Sequence, residues 1–470
     1  MSNPGDADET PITSMSQLAD FIAVGCKPQG EWRIGTEHEK FGFHHGDLRV
    51  PAYESEASGP DGRRRGGIRA LLDGLLGFGG QPILDRGNPI GIKLDDGGAV
   101  SLEPAGQLEL SGAPLVSLHE TKAEFEAHFA EVRAVSEKLG LGFAPLGFHP
   151  FATRDDMPWM PKSRYAIMRR YMQLVGSRGL DMMTRTCTVQ VNLDYESEQA
   201  MVRKLRVSLA LQPLATALFA NSPFMEGKPN GFLSNRAFAW LDTDNARSGI
   251  PAVMFEDGFG FERYARWLVD EVPMYFVYRD SEYIDVAGQS FRAYMEGRLP
   301  GLPGKVATVG DFADHMTTAF TDVRLKRFLE MRGADAGTPE MMLAQSAFWV
   351  GLLYDDAALT AAERRIAGAG GLKMDWSDAV TLREAVPRQG LNAPFRGAPL
   401  RELARDIVAI ARDGLRARAV RDPSGRDEAG YLEPLEAIAA GGPTQAEYWL
   451  GRYHGVWKGD LRLILGEAAT

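Results

Sequence analysis

The stretch from Arg33 to Phe43 reads RIGTEHEKFGF and has the alternation of a β-strand, but it puts two carboxylates where apolar side chains are expected. Residues two apart in a strand point the same way, about 7 Å apart along the chain. Glu37 and Glu39 therefore share a face with Phe41 and Phe43. At that separation and an effective dielectric near 20 their repulsion is roughly 2.4 kcal/mol. A solvated edge strand relieves it. So does a cavity that brings cations to the acids.

The pattern recurs. In SLEPAGQLELSGAP (101–114), Gln107 and Glu109 share a face and Glu103 precedes them. In TVQVNLD (188–194), Gln190, Asn192 and Asp194 alternate with Val189, Val191 and Leu193. In RLKRFLEMRGAD (324–335), Glu330 and Arg332 alternate with Leu329 and Met331. Four such strands imply a sheet with one face on a core and the other forming the floor of a polar cavity. Acids converging there require cations, and oxygen-only donors suit Mg²⁺ or Mn²⁺. Histidine is a poor competitor: the eight are scattered, no H-E-x-x-H occurs, and His38 points away from its glutamate neighbours.

The chain has 470 residues and a formal net charge of −11, a balance that disfavours nucleic acid and anionic membranes as partners. Two cysteines, Cys26 and Cys187, exclude a disulfide framework and fit a reducing compartment, and Cys187 reads as a small buried residue. The opening MSNPGDADETP is unlike a signal or transit peptide. The longest apolar run, Val207 to Ala220, contains Gln212 and Pro213 and falls short of the ~20 residues of a membrane span. The expectation is a soluble, cytoplasmic protein.

Ser14 with Gln17 and Ser117 with Glu120 form capping boxes, the second opening a helix that runs to Gly140. Further helical patterns lie near 199–220, 262–270, 344–354, 398–416 and 444–452. Strand patterns lie at 33–43, 99–110, 186–194, 274–286 (a hairpin turning at Asp280-Ser281) and 321–332. Loops fill 51–67, 225–235, 300–310, 367–374 and 421–430. With no regular β-α-β-α rhythm, the prediction is an α+β fold on a mainly antiparallel sheet. Residues 1–30 form a segment with one helix and 31–470 a single catalytic domain. Its sheet-bearing core, about 31–355, holds all the strands, and a helical cover occupies about 356–470.

No G-x-x-x-x-G-K-[ST] or G-x-S-x-G is present, so a P-loop and a serine-hydrolase elbow are unsupported. Phosphates would have to be held by metal ions and scattered cations. PKSRYAIMRRYM (161–172) concentrates Lys162, Arg164, Arg169 and Arg170, and NGFLSNRAFAWLDTD (230–244) supplies Arg236 and Trp240. An arginine in such a loop can clamp a carboxylate bidentately, or make a surface ion pair. Arg185, just ahead of TVQVNLD, suits either role.

RIGTEHEKFGF, SLEPAGQLELSGAP, MPKSRYAIMRRYM, LDMMTRTCTVQVNLD, LALQPLATALFANSPFMEGKPNGFLSNR, VPMYFVYRD and RLKRFLEMRGAD together resemble the plant-type glutamate–cysteine ligases, a class shared with many bacteria. The resemblance runs in order over about 30–460. It implies a glutamine-synthetase-like fold, a curved antiparallel sheet lining a funnel-shaped site and surrounded by helices. It implies ATP-dependent joining of the γ-carboxyl of L-glutamate to the amine of L-cysteine through a γ-glutamyl phosphate, the first step of glutathione synthesis. By position it makes Glu37, Glu39, Glu109 and Glu330 metal ligands, with Glu103 beside them. Gln190 and Asn192 would line the glutamate site, Arg236 would clamp a glutamate carboxylate near Trp240, and Arg185 would lie on the substrate side. Glu330 and Arg332 would act on the transferring phosphoryl group. Lys162, Arg164 and Tyr165 would serve the nucleotide, Arg164 and Tyr165 alternatively the cysteine. Plant members carry extra cysteines for redox control, and a pair of intramolecular bridges is impossible here, so monomer and homodimer both stay open. So do a ligase using another amine, a non-catalytic glutamate or nucleotide sensor, and a metal-dependent hydrolase.

Overall fold

A computed structural model describes residues 8–56, 65–367 and 375–470. The loops expected at 51–67 and 367–374 lie partly outside these ranges. Nine strands build one antiparallel sheet: β1 (Ile34–His44), β2 (Gln81–Asp85), β3 (Asn88–Lys93), β4 (Ala99–Leu102), β5 (Leu108–Ser111), β6 (Leu141–Ala144), β7 (Thr188–Leu193), β8 (Val323–Leu325) and β9 (Leu329–Asp335). The order is β8-β9-β7-β1-β5-β4-β3-β2, with β6 pairing the far end of β1. The fold is α+β, as expected.

Two expected strands are hairpins. The 99–110 segment breaks at Glu103–Gln107, where Glu103 N–H donates to the Gln107 carbonyl (2.9 Å) and Gly106 takes φ +83°, open to glycine at little cost. The 321–332 segment folds back between β8 and β9. The 274–286 hairpin forms as expected, between Phe276–Arg279 and Glu282–Asp285, with positive φ at both Asp280 and Ser281. Residues after 355 also carry a small hairpin, Pro394–Phe395 with Ala398–Pro399, so the strands are not confined to 30–355.

The helices that position the sheet are α1 (Met15–Ala23), α2 (Leu118–Leu139), α3 (Arg164–Val175), α4 (Glu198–Leu218), α5 (Pro339–Leu353) and α6 (Leu400–Arg418). Ser14 and Ser117 cap α1 and α2 by accepting from Gln17 N–H and Glu120 N–H. Each box closes one residue early, because Gln17 accepts from Thr13 N–H (2.9 Å) and Glu120 from Val116 N–H (2.8 Å). Gly140 ends α2 in the left-handed conformation at φ +69°.

α5 is apolar nearly all round, as a helix buried on every side must be. It packs against β1 and β7, and α6 covers its other face. The two helices cross backbone to backbone: a Cβ on Gly414 would stand 1.9 Å from the Gly351 carbonyl. The apolar sheet face, including Val189, Val191, Leu108, Leu110, Val323 and Met331, thus lies in the core. His38 and Lys40 also face that way: His38 stacks on Phe129 of α2 at 5.1 Å, and Lys40 Nζ lies 2.9 Å from His128 Nε2.

Candidate active site

The other sheet face is polar, and the register puts its residues side by side. Glu37 lies between Gln190 of β7 and Ser111 of β5. Glu39 faces Glu109 of β5, which faces Ser101 of β4. Asn192 lies between Gly35 and Glu330, and Glu330 faces Arg324 of β8. Toward β6 the face turns apolar, and Phe41 and Phe43 join a cluster with Trp449 and Trp457.

Glu37, Glu39, Glu103, Glu109, Gln190, Arg164, Tyr165, Arg236, Trp240 and Arg332 line one cavity on this face, as do Arg324 and the apolar Met168, Met182, Met183, Phe276 and Phe320. Glu109 is held by the hydroxyls of Ser101 (2.7 Å) and Ser111 (3.0 Å). Glu39 accepts from the Thr188 backbone N–H at 3.0 Å, and Glu37 from Asn192 Nδ2 at 2.9 Å. Burial, with Glu103 and Glu109 alongside, pushes the Glu39 carboxyl well above the usual carboxylate range. Burial and Glu109 likewise raise Glu103 to about 7. Burial opposes the charge of Glu109 as well, but the Ser101 hydroxyl and Lys162 hold its carboxyl below the ordinary value, so positive charge is short around Glu39 and Glu103.

That shortage is the chemical test for a hard divalent cation, and the donors fit it: all are oxygen, and their mutual repulsion is what such an ion relieves. No three His, Cys, Asp or Glu side chains among the described residues converge closely enough to hold a metal by themselves. The acids share a wall rather than a single point.

Glu330 is placed differently from the expectation. It is fully buried, with Arg324 bidentate to it at 2.8 Å on each oxygen, Lys326 at 3.1 Å, and Arg332 also bonded. Burial opposes its charge, but these three cations overcome that and hold its carboxyl well below the usual range. Its oxygens are committed to cations of the protein, which leaves it anchoring Arg332 instead of facing the cavity. Arg332 donates to Gln190 Oε1 at 2.7 Å. A bulge between Met331 and Ala334 carries Arg332, and α4 holds that bulge: Gly333 N–H donates to Gln212 Oε1 (2.9 Å) and Thr216 Oγ1 donates to the Gly333 carbonyl (2.9 Å). A Cβ on Gly333 would lie 2.1 Å from Gln212 Oε1.

Arg236 is seated through Asp335 at the end of β9. The Asp335 carboxylate accepts from Asn221 N–H (2.8 Å) and from the hydroxyls of Ser222 (2.6 Å) and Ser234 (2.8 Å), and Ser234 caps the short helix Asn235–Ala239 that carries Arg236, where a loop was expected. Arg236 donates to the Arg332 carbonyl at 2.9 Å, while its Nε and Trp240 Nε1 are buried without a partner among the described residues.

Two expected residues stand elsewhere. Arg185 pairs with Asp181 (3.2 Å) and Glu226 (3.1 Å) over the Phe148 ring, outside the cavity, a buried structural pair instead of a substrate contact. Lys162 donates to the Leu102 carbonyl and lines a neighbouring cavity with Tyr278 and Tyr283, where only Arg164 also reaches the main site. Arg324, Lys326, Ser101 and Ser111 escaped the sequence reading. Along an extended 321–332 strand Arg324 would be ~20 Å from Glu330; the hairpin makes them partners.

The geometry is that of an enzyme handling several small anions over a carboxylate-lined sheet. The family model for glutamate–cysteine ligase family 2 (GCS2) matches residues 33–467, and the chain belongs to that family. It is 49% identical over 460 residues to glutamate–cysteine ligase B, chloroplastic, of Oryza sativa subsp. japonica, covering 97% of this chain and 87% of that one. To the chloroplastic glutamate–cysteine ligase of Arabidopsis thaliana it is 48% identical over 450 residues, covering 95% and 81%. The crystal structure of glutamate–cysteine ligase from Francisella tularensis in complex with AMP shares the fold, with a TM-score of 0.54 at 12% identity, covering 93% of this chain and 89% of that one. The expectation of a cytoplasmic location is contradicted by these names, in which the relatives are chloroplastic proteins. No described helix is long and apolar enough to cross a membrane.

Proposed function

We propose that this chain uses ATP to join the γ-carboxyl of L-glutamate to the amine of L-cysteine, forming γ-glutamylcysteine, ADP and phosphate, the first step of glutathione synthesis. The observation that carries the reading is the row of buried acids, Glu37, Glu39 and Glu109, sharing one cavity with Arg236 and Arg332 in a member of this ligase family.

A carboxylate cannot expel oxide. One γ-carboxylate oxygen therefore attacks the γ-phosphorus of ATP, ADP leaves with the bridging oxygen, and an acyl phosphate remains. The cysteine amine then attacks the acyl carbon, phosphate departs, and the amine proton goes to phosphate or water. Phosphoryl transfer asks the protein for alignment and neutralised charge more than for covalent chemistry. Glu37, Glu39, Glu103 and Glu109 would hold Mg²⁺ or Mn²⁺, which when bound neutralises phosphate charge. Arg332, held by Glu330 and Gln190, faces the group in transfer. Arg236 and Trp240 supply donors for a glutamate carboxylate, and Arg164 and Tyr165 serve the nucleotide or the cysteine. Residues 31–470 act as one catalytic unit, since α5 and α6, from either side of position 355, pack together behind the sheet.

Incubation with ATP, Mg²⁺, glutamate and cysteine should give the dipeptide by mass, one per ADP. ADP release with another amine and none with cysteine would assign a different acceptor.

A further inference from the structure

The short helix Asn235–Ala239 is tied to the rest of the molecule at both ends. Its start is held through Ser234 to Asp335 of β9. Its end is held by Arg383, which comes from the helix Trp376–Gln389 of the C-terminal region. Arg383 Nη2 donates to the Trp240 carbonyl at 3.1 Å, and its Nε donates to the Asp322 carboxylate at 2.7 Å. Asp322 stands just ahead of β8, and its carbonyl accepts the Arg332 backbone N–H at 3.1 Å. One guanidinium thus lies between the backbone that presents Arg236 and Trp240 and the backbone that presents Arg332.

The surroundings keep that fork in place. Asp322 N–H donates to the Gly249 carbonyl (2.8 Å), and a Cβ on Gly249 would stand 3.3 Å from Arg383 Cζ. One turn further along the same helix, the Pro387 carbonyl accepts from Leu233 N–H (2.8 Å) and Ser234 N–H (3.0 Å), so a single helix face grips the 233–240 segment twice. Arg236, Trp240 and Arg332 line both the main cavity and a smaller one of about 30 Å³. Arg383 and Asp322 line the smaller one alone, so they meet the substrate-facing residues from behind.

We propose that Arg383, paired with Asp322, is a positioning residue for phosphoryl transfer: it fixes the spacing between Arg236, on the glutamate side, and Arg332, on the group in transfer. The inference rests on the ligase reading above. A helix tied only at Ser234 can pivot there and carry Arg236 and Trp240 out of line. A displacement of about 1 Å at a reacting centre costs on the order of 100-fold in rate. Lysine keeps the charge but lacks the planar fork, so it reaches Asp322 or the Trp240 carbonyl and not both. A γ-carboxylate out of line leaves the γ-phosphorus of ATP to water, which gives ADP and phosphate and returns glutamate unchanged.

The test supplies ATP, Mg²⁺, L-glutamate and hydroxylamine to the wild type, Arg383→Lys, Arg383→Met and the double variant Arg383→Met with Asp322→Asn, and quantifies ADP and γ-glutamyl hydroxamate together. The wild type should give one hydroxamate per ADP. Arg383→Lys should lower kcat by at least about tenfold while KM for glutamate and for ATP moves less than about threefold. Its ADP per hydroxamate should rise to about two or more, as water replaces glutamate in the attack. Arg383→Met should exceed Arg383→Lys on both counts, and adding Asp322→Asn should change neither by more than about twofold, because the two residues act as one pair. Arg383→Lys retains the charge and carries the same reading should Arg383→Met not fold. A ratio of one in folded variants overturns the positioning role, as does a loss of both products in step with lost folded protein. A glutamate KM raised more than about tenfold with kcat retained overturns it in favour of a binding role. Absence of hydroxamate from the wild type sinks the ligase reading and the positioning role with it.

Discussion

Glu39 and Glu109 are directly paired across β1 and β5, two buried carboxyls on facing positions of an antiparallel ladder. Like charges so placed destabilise a sheet by themselves. Under the proposed function, a cation arriving with substrate would offset that repulsion.

Glu39→Gln keeps the side chain's size and removes one of the opposed charges. Turnover should fall by more than about 100-fold, while the melting temperature of the substrate-free protein stays level or rises. Mg²⁺ with ATP should raise the melting temperature of the wild type more than that of the variant. Normal activity in the variant removes Glu39 from the metal-holding set.

Arg324→Ala leaves Glu330 without its bidentate partner in a fully buried position. Breaking a buried pair from one side costs about 3 kcal/mol or more. Thermal and denaturant unfolding should show that loss, and kcat should fall with it because Arg332 is held by the same carboxylate.

Arg236→Ala should raise the KM for glutamate by roughly 10- to 100-fold, the worth of a charge-assisted hydrogen bond, with a smaller effect on ATP. Steady-state kinetics that move the ATP constant instead would reassign Arg236.

Glu124 of α2 gives a pH dependence remote from the site. Burial raises its carboxyl to about 7, although it accepts from Ala113 N–H at 2.6 Å. The folded carboxyl binds its proton more tightly than the unfolded one, so its contribution favours the fold at low pH and is lost as pH rises from about 4.5 to about 7. Glu124→Gln should remove that decline and stabilise the protein at pH 8 by roughly 1–3 kcal/mol. Chemical unfolding at pH 5 and pH 8 checks it, and equal effects at both would contradict it.

The polar face was legible because a strand's period of two is rigid: Glu37 must share a side with Glu39, and Gln190, which alternates with Val189 and Val191, with Asn192. Register was not legible. It places Glu39 opposite Glu109 and Glu330 opposite Arg324, and it depends on turns at Glu103–Gln107 and Lys326–Phe328 that read as continuous strand. Arg185 and Lys162 were misplaced for a related reason. A basic residue near a polar strand looks alike in sequence whether it meets substrate or, as here, Asp181 or the Leu102 carbonyl. The apolar lining of the cavity left no sequence signal, since Met168, Met182, Met183, Trp240, Phe276 and Phe320 come from five separated segments.

The most direct measurement is hydroxylamine trapping: protein, ATP, Mg²⁺, L-glutamate and hydroxylamine, with γ-glutamyl hydroxamate and ADP quantified together. The expected result is hydroxamate equal to ADP in the wild type and neither above background in Glu39→Gln. ADP release without hydroxamate, or hydroxamate undiminished by the substitution, would contradict activation of the γ-carboxylate over this row of acids.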